Sequence, residues 1–401
     1  MSSEDQVVDF VREARNSQRP FEIVAGGTRR TVGKPMGDLP VLDVSGLSGI
    51  VKYEPEELIL TVKPATTLGE VGVVLAEKNQ CLGFDPVAWA FLAPSGLRIA
   101  SAATATSPAN ASHAGEAGLR QAATIGGAVS ADASGSGRLR HGGARDSLLG
   151  FRAVNGFGAA YGGGGKVVKN VTGFDMPKLM CGAWGSLGVL TELTFRVYPR
   201  ARFSATLILK DVTPDQGFAA LRKIWQSALE PSGLAYLPEG TGLLDGGKGA
   251  ALIRFEAAQL PLQEKCDAAR LLLGEVETLE DGDALFASLG AGDIFGQSEL
   301  DVWRLLLPPS QAASVAVAIA APFWYGDWAG GLLWIGASGE EAQRIRAIAQ
   351  GAGGHACLLR APAARRAEFG LYPPQSPALA ALATRVKAAF DPLSLFNPAR
   401  L

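Results

Sequence analysis

Cysteine and histidine are scarce in this chain, which has four of one (Cys81, Cys181, Cys266, Cys357) and three of the other (His113, His141, His355). No two of them stand at a metal-ligand spacing, and there is no CxxC or HExxH. An iron–sulfur or zinc site of recognisable pattern is therefore excluded. So few cysteines also speak against a disulfide scaffold and fit a reducing, cytoplasmic compartment. Excess basic charge is lacking too: 37 Lys and Arg stand against 39 Asp and Glu, with no long basic run. Non-specific nucleic-acid binding has little electrostatic support. The opening MSSEDQVVDFVREARN is charged throughout and is not expected to act as a secretory signal. The longest apolar stretch, Ala312 to Ala337, is interrupted by Pro322 and a Tyr325-Gly326-Asp327 turn, so it reads as buried soluble structure rather than a membrane span.

Glycine, in contrast, is abundant: 50 of 401 residues, against a usual ~7%. It follows no collagen period, and 47% hydrophobic content excludes a disordered glycine-rich chain. The protein is folded, and its length suggests two or three domains.

A short helix is predicted over Asp5 to Ser17 from the spacing of Val7, Val8, Phe10 and Val11. Short β-branched runs follow (FEIVA, VLDV, GIVKY, ELILTV), then a helix from Leu68 to Asn79. Residues 93–123 are almost all Ala, Ser and Gly and read as a surface loop or lid. Glycine concentrates between Thr124 and Gly188, ahead of the strand VLTELTFRVYP. After Arg200 the texture changes to strands and helices of ordinary glycine content, read as two βαββα-like units. The expected organisation is a first domain over 1–200, an α+β domain over 201–375, and a C-terminal segment, 376–401, that returns to the first domain.

Three segments carry chemistry. In Ala25-Gly26-Gly27-Thr28-Arg29-Arg30 a glycine pair ends a strand, so backbone N–H groups can approach an anion that the guanidiniums neutralise. This is neither a P-loop nor a GxGxxG fingerprint, and a Gly-Gly turn by itself is also consistent with a plain turn. Thr124 to Gly135 (TIGGAVSADASG) has small residues at nearly every position, which suits a wall against a flat, bulky ligand or a flexible linker. Lys169 to Asp175 (KNVTGFD) leads through Gly185 and Gly188 into a strand. A fourth glycine cluster, Gly162 to Gly165, reads as a hairpin or surface loop.

In this order the three segments resemble the flavin-binding domain of the vanillyl-alcohol oxidase, or PCMH-type FAD-binding, family. KNVTGFDMPKLMCGAWGSLGVLT is the most specific match, and FDPLSLFNP near the end resembles the family's closing segment. The resemblance spans about residues 20 to 200, and among members it is nearest to the FAD-binding subunits of glycolate oxidase (glycolate dehydrogenase). It implies an α+β fold: a PCMH-type FAD-binding domain of two α+β subdomains, a ferredoxin-like α+β cap and a returning C-terminal segment. It also implies that Ala25, Gly26, Gly27, Thr28 and Arg29 face the FAD pyrophosphate. Thr124, Gly126, Gly127, Ala131, Ser134 and Gly135 would line the flavin, and Gly173, Gly185, Gly188 and Val189 would complete the site.

The activity implied is oxidation of a 2-hydroxy acid, glycolate first, in a complex with a homologous FAD-binding catalytic subunit and an iron–sulfur subunit that passes electrons towards quinone. Membrane attachment would be peripheral and through those partners. Two alternatives are a self-sufficient FAD-dependent alcohol or hydroxyacid oxidase and a non-catalytic assembly subunit that retains the fold.

The sequence departs from the pattern in two places. The HxGDGNxH-like segment of hydroxyacid-oxidising relatives is missing, since His355 is the only histidine beyond residue 200, and no catalytic residue is assigned. Trp184 replaces an acidic residue often found there. The first glycine loop holds no histidine or cysteine, so non-covalent FAD is expected. Arg138, Arg140 and Arg145, with His141, form a cluster that reads either as solvated loop charge or as a carboxylate contact.

Overall fold

The computed structural model describes residues 1–92, 123–165, 174–242, 248–296, 298–398 and 400. Nearly all of the segment expected to form a loop at 93–123 lies outside these residues, as do Lys169 to Gly173. The chain divides into two compact units, one of Met1–Ser134, Gly142–Arg200 and Pro374–Leu401, the other of Gly135–His141 and Ala201–Pro373.

The first unit opens with helix α1, Glu4–Asn16, because Ser3 accepts the N–H of Gln6 as an N-cap and Glu4 and Asp5 sit in the first turn. Such a cap contributes about 1 kcal/mol, and acids there complement the helix dipole. Its buried stripe (Val7, Val8, Val11, Ala14) joins Phe21, Leu42, Val44 and Phe396 in one core. Strands β1 (Glu22–Val24) and β2 (Val41–Asp43) pair in parallel over it.

A second core lies on an antiparallel sheet made of β3 (Ile50–Glu54), β4 (Ile59–Val62), β5 (Gln80–Leu82), β6 (Leu148–Val154), β7 (Ala160–Gly164) and β8 (Val189–Pro199), in the order β3-β4-β8-β6-β7 with β5 also on β8. Helix α2, Leu68–Ala76, starts from a capping box of Thr67 and Glu70. Helix α3, Ile125–Ala131, starts at Thr124, where the backbone of 64–67 runs alongside: Pro64 and Thr66 accept the N–H groups of Gly126 and Ile125. The fourth glycine cluster is strand β7 of the β6–β7 hairpin. Two of its positions admit no side chain, since a Cβ at Gly164 would lie 2.0 Å from the Leu149 carbonyl oxygen and one at Gly163 2.6 Å from Met176 Cβ.

The second unit is an eight-stranded antiparallel sheet of β9 (Phe203–Leu209), β10 (Gly233–Leu237), β11 (Ala250–Ala257), β12 (Glu277–Leu279), β13 (Asp301–Leu306), β14 (Phe323–Asp327), β15 (Leu332–Ala337) and β16 (His355–Arg360), ordered β12-β9-β11-β10-β14-β15-β13-β16. Helices Pro214–Trp225, Gln259–Leu273, Ala312–Ile319 and Ala342–Gly351 contribute residues to its core. The apolar stretch from Ala312 to Ala337 becomes a helix with one buried face and the β14–β15 pair. No helix among the described residues is long and apolar enough to cross a membrane. Segment Gly135–His141 is held in this unit by Ser136 Oγ donating to Asp327 Oδ2 (2.6 Å) and Trp328 Nε1 donating to the Gly135 carbonyl (3.0 Å).

Candidate functional site

The first unit contains a cavity of ≈ 130 Å³ where the β1 loop, the start of α3, the lead into β8 and the C-terminal segment meet. Beyond Val24 the chain leaves its pairing with β2 and makes a compact turn, with Gly27 at φ 68°, a left-handed value that suits glycine. Among the described residues, the backbone N–H groups of Gly26, Gly27, Thr28 and Arg29 donate to no protein acceptor. Such a run of free donors in a turn is a concave seat for an anion.

The two arginines of the turn have different surroundings. Arg30 is neutralised by a two-pronged contact with buried Glu22, its Nη2 lying 2.5 Å from Oε2. Arg29 is buried, its Nη2 donates to the Val87 carbonyl (2.5 Å), and its guanidinium lies 5.3 Å from the centre of the Trp89 ring. Its Nε has no hydrogen-bond partner, and among the described residues no carboxylate forms an ion pair with it. Burial pulls its pKa down to about 10. An unpaired buried cation beside free N–H groups lacks an anion.

Small residues keep the opposite wall close. A Cβ at Gly127 would lie 3.2 Å from Arg29 Nη1, one at Gly126 2.5 Å from Pro64 Cβ, and one at Gly188 2.9 Å from the Tyr161 hydroxyl. The N–H groups of Ile125, Gly126 and Gly127 are already taken by Thr66, Pro64 and Thr124 Oγ1. The glycine-rich stretch after Thr124 thus supplies space and shape, while the free donors come from the β1 turn.

Of the residues singled out in the sequence, Ala25, Gly26, Gly27, Thr28, Arg29, Thr124, Gly126, Gly127, Gly185, Gly188 and Val189 line this one cavity. Ala131 and Ser134 are buried away from it, Gly135 belongs to the second unit, and Gly173 lies outside the described residues. Trp184, with φ 51°, lines the cavity as well. The arginine cluster is divided between the units. Arg140 pairs with Glu230 (2.7 Å), His141 meets Glu256 (3.2 Å) and Arg138 lies over Trp328, all in the second unit, whereas Arg145 is in the first. His355 opens edge strand β16, and burial, then the charge of Arg304, holds its pKa below the ordinary value.

Sequence reasoning missed Glu22, Asn397 and Arg400. Asn397 accepts the Ile23 N–H (2.9 Å) and donates to the Trp184 carbonyl (2.9 Å), and both Asn397 and Arg400 line the cavity. Glu22 sits in the run FEIVA, with one partner, Arg30, eight residues on and the other, Arg400, at the far end of the chain, so only its charge inside an apolar strand could have flagged it.

Comparison with known proteins follows this geometry. A family model described as an FAD binding domain matches residues 1–90. The chain is 29% identical over 403 residues to glycolate oxidase subunit GlcE of Escherichia coli (strain K12), covering 98% of this chain and 96% of that protein. It is 30% identical over 121 residues to glycolate oxidase subunit GlcD of Bacillus subtilis (strain 168), covering 30% of this chain and 26% of that protein. The crystal structure of p-cresol methylhydroxylase with substrate bound matches at a TM-score of 0.65 and 14% identity, over 100% of this chain and 87% of that one, and so shows a shared fold.

FAD suits the residues present: its diphosphate would supply the charge that Arg29 and the free N–H groups lack. The cavity is smaller than the ~300–1,000 Å³ that encloses a whole ligand, so it matches one segment of an extended dinucleotide. Site chemistry, relatives and fold agree on an FAD-binding flavoprotein that shares the fold of p-cresol methylhydroxylase.

Proposed function

We propose that this chain is the FAD-binding subunit of a multisubunit 2-hydroxyacid dehydrogenase that oxidises glycolate to glyoxylate. The observation that carries the reading is the end-to-end match to glycolate oxidase subunit GlcE, in a chain whose cavity presents an unpaired arginine and free N–H groups to an anion. Gly26, Gly27, Thr28 and Arg29 would hold the FAD diphosphate, with Gly127, Gly185, Gly188 and Val189 along the rest of the cofactor. The bound flavin supplies a two-electron acceptor for the alcohol carbon. The cavity lining has no histidine or cysteine among the described residues, which favours non-covalent binding.

Subunits named GlcE and GlcD among the relatives support a heteromeric assembly for this chain. The chain has four scattered cysteines, and no metal-binding group of His, Cys, Asp and Glu occurs among the described residues. Electrons would then leave through an iron–sulfur partner towards quinone. The partner of homologous fold would provide the substrate base, because of the second unit's histidines His141 is engaged by Glu256 and His355 is an exposed residue at the start of an edge strand.

The test is the absorption spectrum of the chain expressed alone, recorded before and after adding glycolate or D-lactate with an artificial acceptor. Bound flavin that no hydroxyacid bleaches, and that turns over glycolate once the complex is reconstituted, is the expected result. Rapid bleaching of the isolated chain would instead indicate a self-sufficient oxidase. No flavin even in the assembled complex would leave a non-catalytic assembly role.

A further inference from the structure

The last described residues of the chain are tied to the same loop that carries Arg29. Arg400 is buried, and its Nη1 donates to three carbonyls of the turn, those of Arg29 (3.1 Å), Arg30 (3.0 Å) and Val32 (2.6 Å), while Nη2 donates to Glu22 Oε1 (3.0 Å). The close approach has its own glycine: Gly33 has φ 76°, and a Cβ there would lie 2.4 Å from the Arg400 carbonyl oxygen. Asn397 ties the two rims of the cavity by accepting from Ile23 and donating to Trp184. The tail itself is fixed by Asp391, whose carboxylate accepts the N–H groups of Leu395 and Phe396 and the Lys387 ammonium. A β-bridge between Phe21 and Phe396 aligns it with the start of β1.

We propose that Arg400 and Asn397 form a C-terminal clasp that positions the FAD-binding turn, so that the carbonyls of 29–32 are held on the tail and the free N–H groups of Gly26–Arg29 remain at the cavity. The proposal rests on the flavin reading above. A glycine-bearing turn of this kind samples many conformations, and fixing it before the cofactor arrives removes an entropic cost from binding. Glu22 completes the arrangement. It takes up the charges of both Arg30 and Arg400, which leaves Arg29 as the cation of the turn without a carboxylate among the described residues. Neither residue needs to touch the cofactor; they are positioning residues.

The experiment uses the full chain, stripped of flavin and titrated with FAD by fluorescence quenching, with thermal melting of the flavin-free protein in parallel. Arg400→Ala is expected to raise the FAD Kd at least about tenfold while the flavin-free melting temperature stays within about 2 °C of the parent. Arg400→Lys, which can still donate to the carbonyls, is expected to recover part of that loss. Ethylguanidinium added to Arg400→Ala is expected to lower its Kd again. An unchanged Kd in Arg400→Ala overturns the clasp and leaves the flavin reading intact. A fall in flavin-free melting temperature that accounts for the lost affinity also overturns it, because the tail would then only hold the fold. A parent chain that takes up no FAD overturns both.

Discussion

Replacing Arg29 by methionine should move two measurable quantities in opposite senses. In the flavin-free chain the guanidinium is buried beside Trp89 with one carbonyl contact and an unpartnered Nε, and burial draws its pKa down to about 10, more than two pH units below the ordinary arginine value. At ~1.4 kcal/mol per pH unit, that difference is a penalty of about 3 kcal/mol for keeping the charge in the folded chain. The folded value lies below the unfolded one, so the penalty is present in full at any pH below about 10. It disappears only as pH rises from there towards the unfolded value. Across the neutral range it is constant.

Arg29→Met keeps the apolar stem and removes the charge. It should therefore leave the flavin-free chain as stable or more stable, by up to about 3 kcal/mol less the lost Trp89 contact of roughly 1–2 kcal/mol. Binding should respond the other way. A charge-assisted contact contributes about 1.5–3 kcal/mol, so the FAD Kd should rise roughly ten- to a hundredfold. Urea unfolding of the flavin-free protein and an FAD titration measure the two effects on one preparation. A variant that loses more than about 2 kcal/mol of stability yet binds FAD like the parent would show that Arg29 is a structural cation and that the anion seat is misplaced.

The thiols and the one histidine of the second sheet give further checks. Burial pushes Cys181 up to about 12 and Cys357 up to about 11, so their thiolate fractions at neutral pH are negligible. Brief treatment of the native protein with iodoacetamide near neutral pH should leave both unmodified by mass spectrometry, and rapid labelling of either would contradict the packing. His355 should titrate below its ordinary ~6.5 by NMR. A histidine that resists protonation stabilises the folded state above that value, and the contribution is lost as pH falls through it. His355→Gln should flatten the stability curve on the acid side of about pH 6.5, and a histidine that titrates above the ordinary value would refute the assignment.

How legible the protein is from sequence varies along the chain for physical reasons. Helix α1 was readable because one amphipathic stripe and a local cap specify it, and the strand closed by Pro199 because proline ends a ladder. The helix Gly282–Ala291 and strand β16 were not read. The first has little amphipathic contrast, and the second is a short apolar run whose state depends on finding β13. Within the site, the glycine pair at Gly26 and Gly27 announced a close backbone approach. The run after Thr124 suits a wall or a flexible linker by composition, but Thr124 caps it into a helix whose first N–H groups are spent on Thr66, Pro64 and Thr124 itself.

Composition and local pattern by themselves determined that the chain is a folded α+β protein, that its excess glycine is concentrated ahead of Gly188, and that one glycine turn precedes two adjacent arginines. Those properties depend on neighbours a few residues apart, and sequence records such neighbours directly. Which arginine carries the unpaired charge was decided only in three dimensions. Glu22 and Arg400, far apart in the chain, come together on Arg30 and on the carbonyls of the turn, and Val87 and Trp89 close over Arg29. Charge compensation depends on distance in space, which the order of residues does not state.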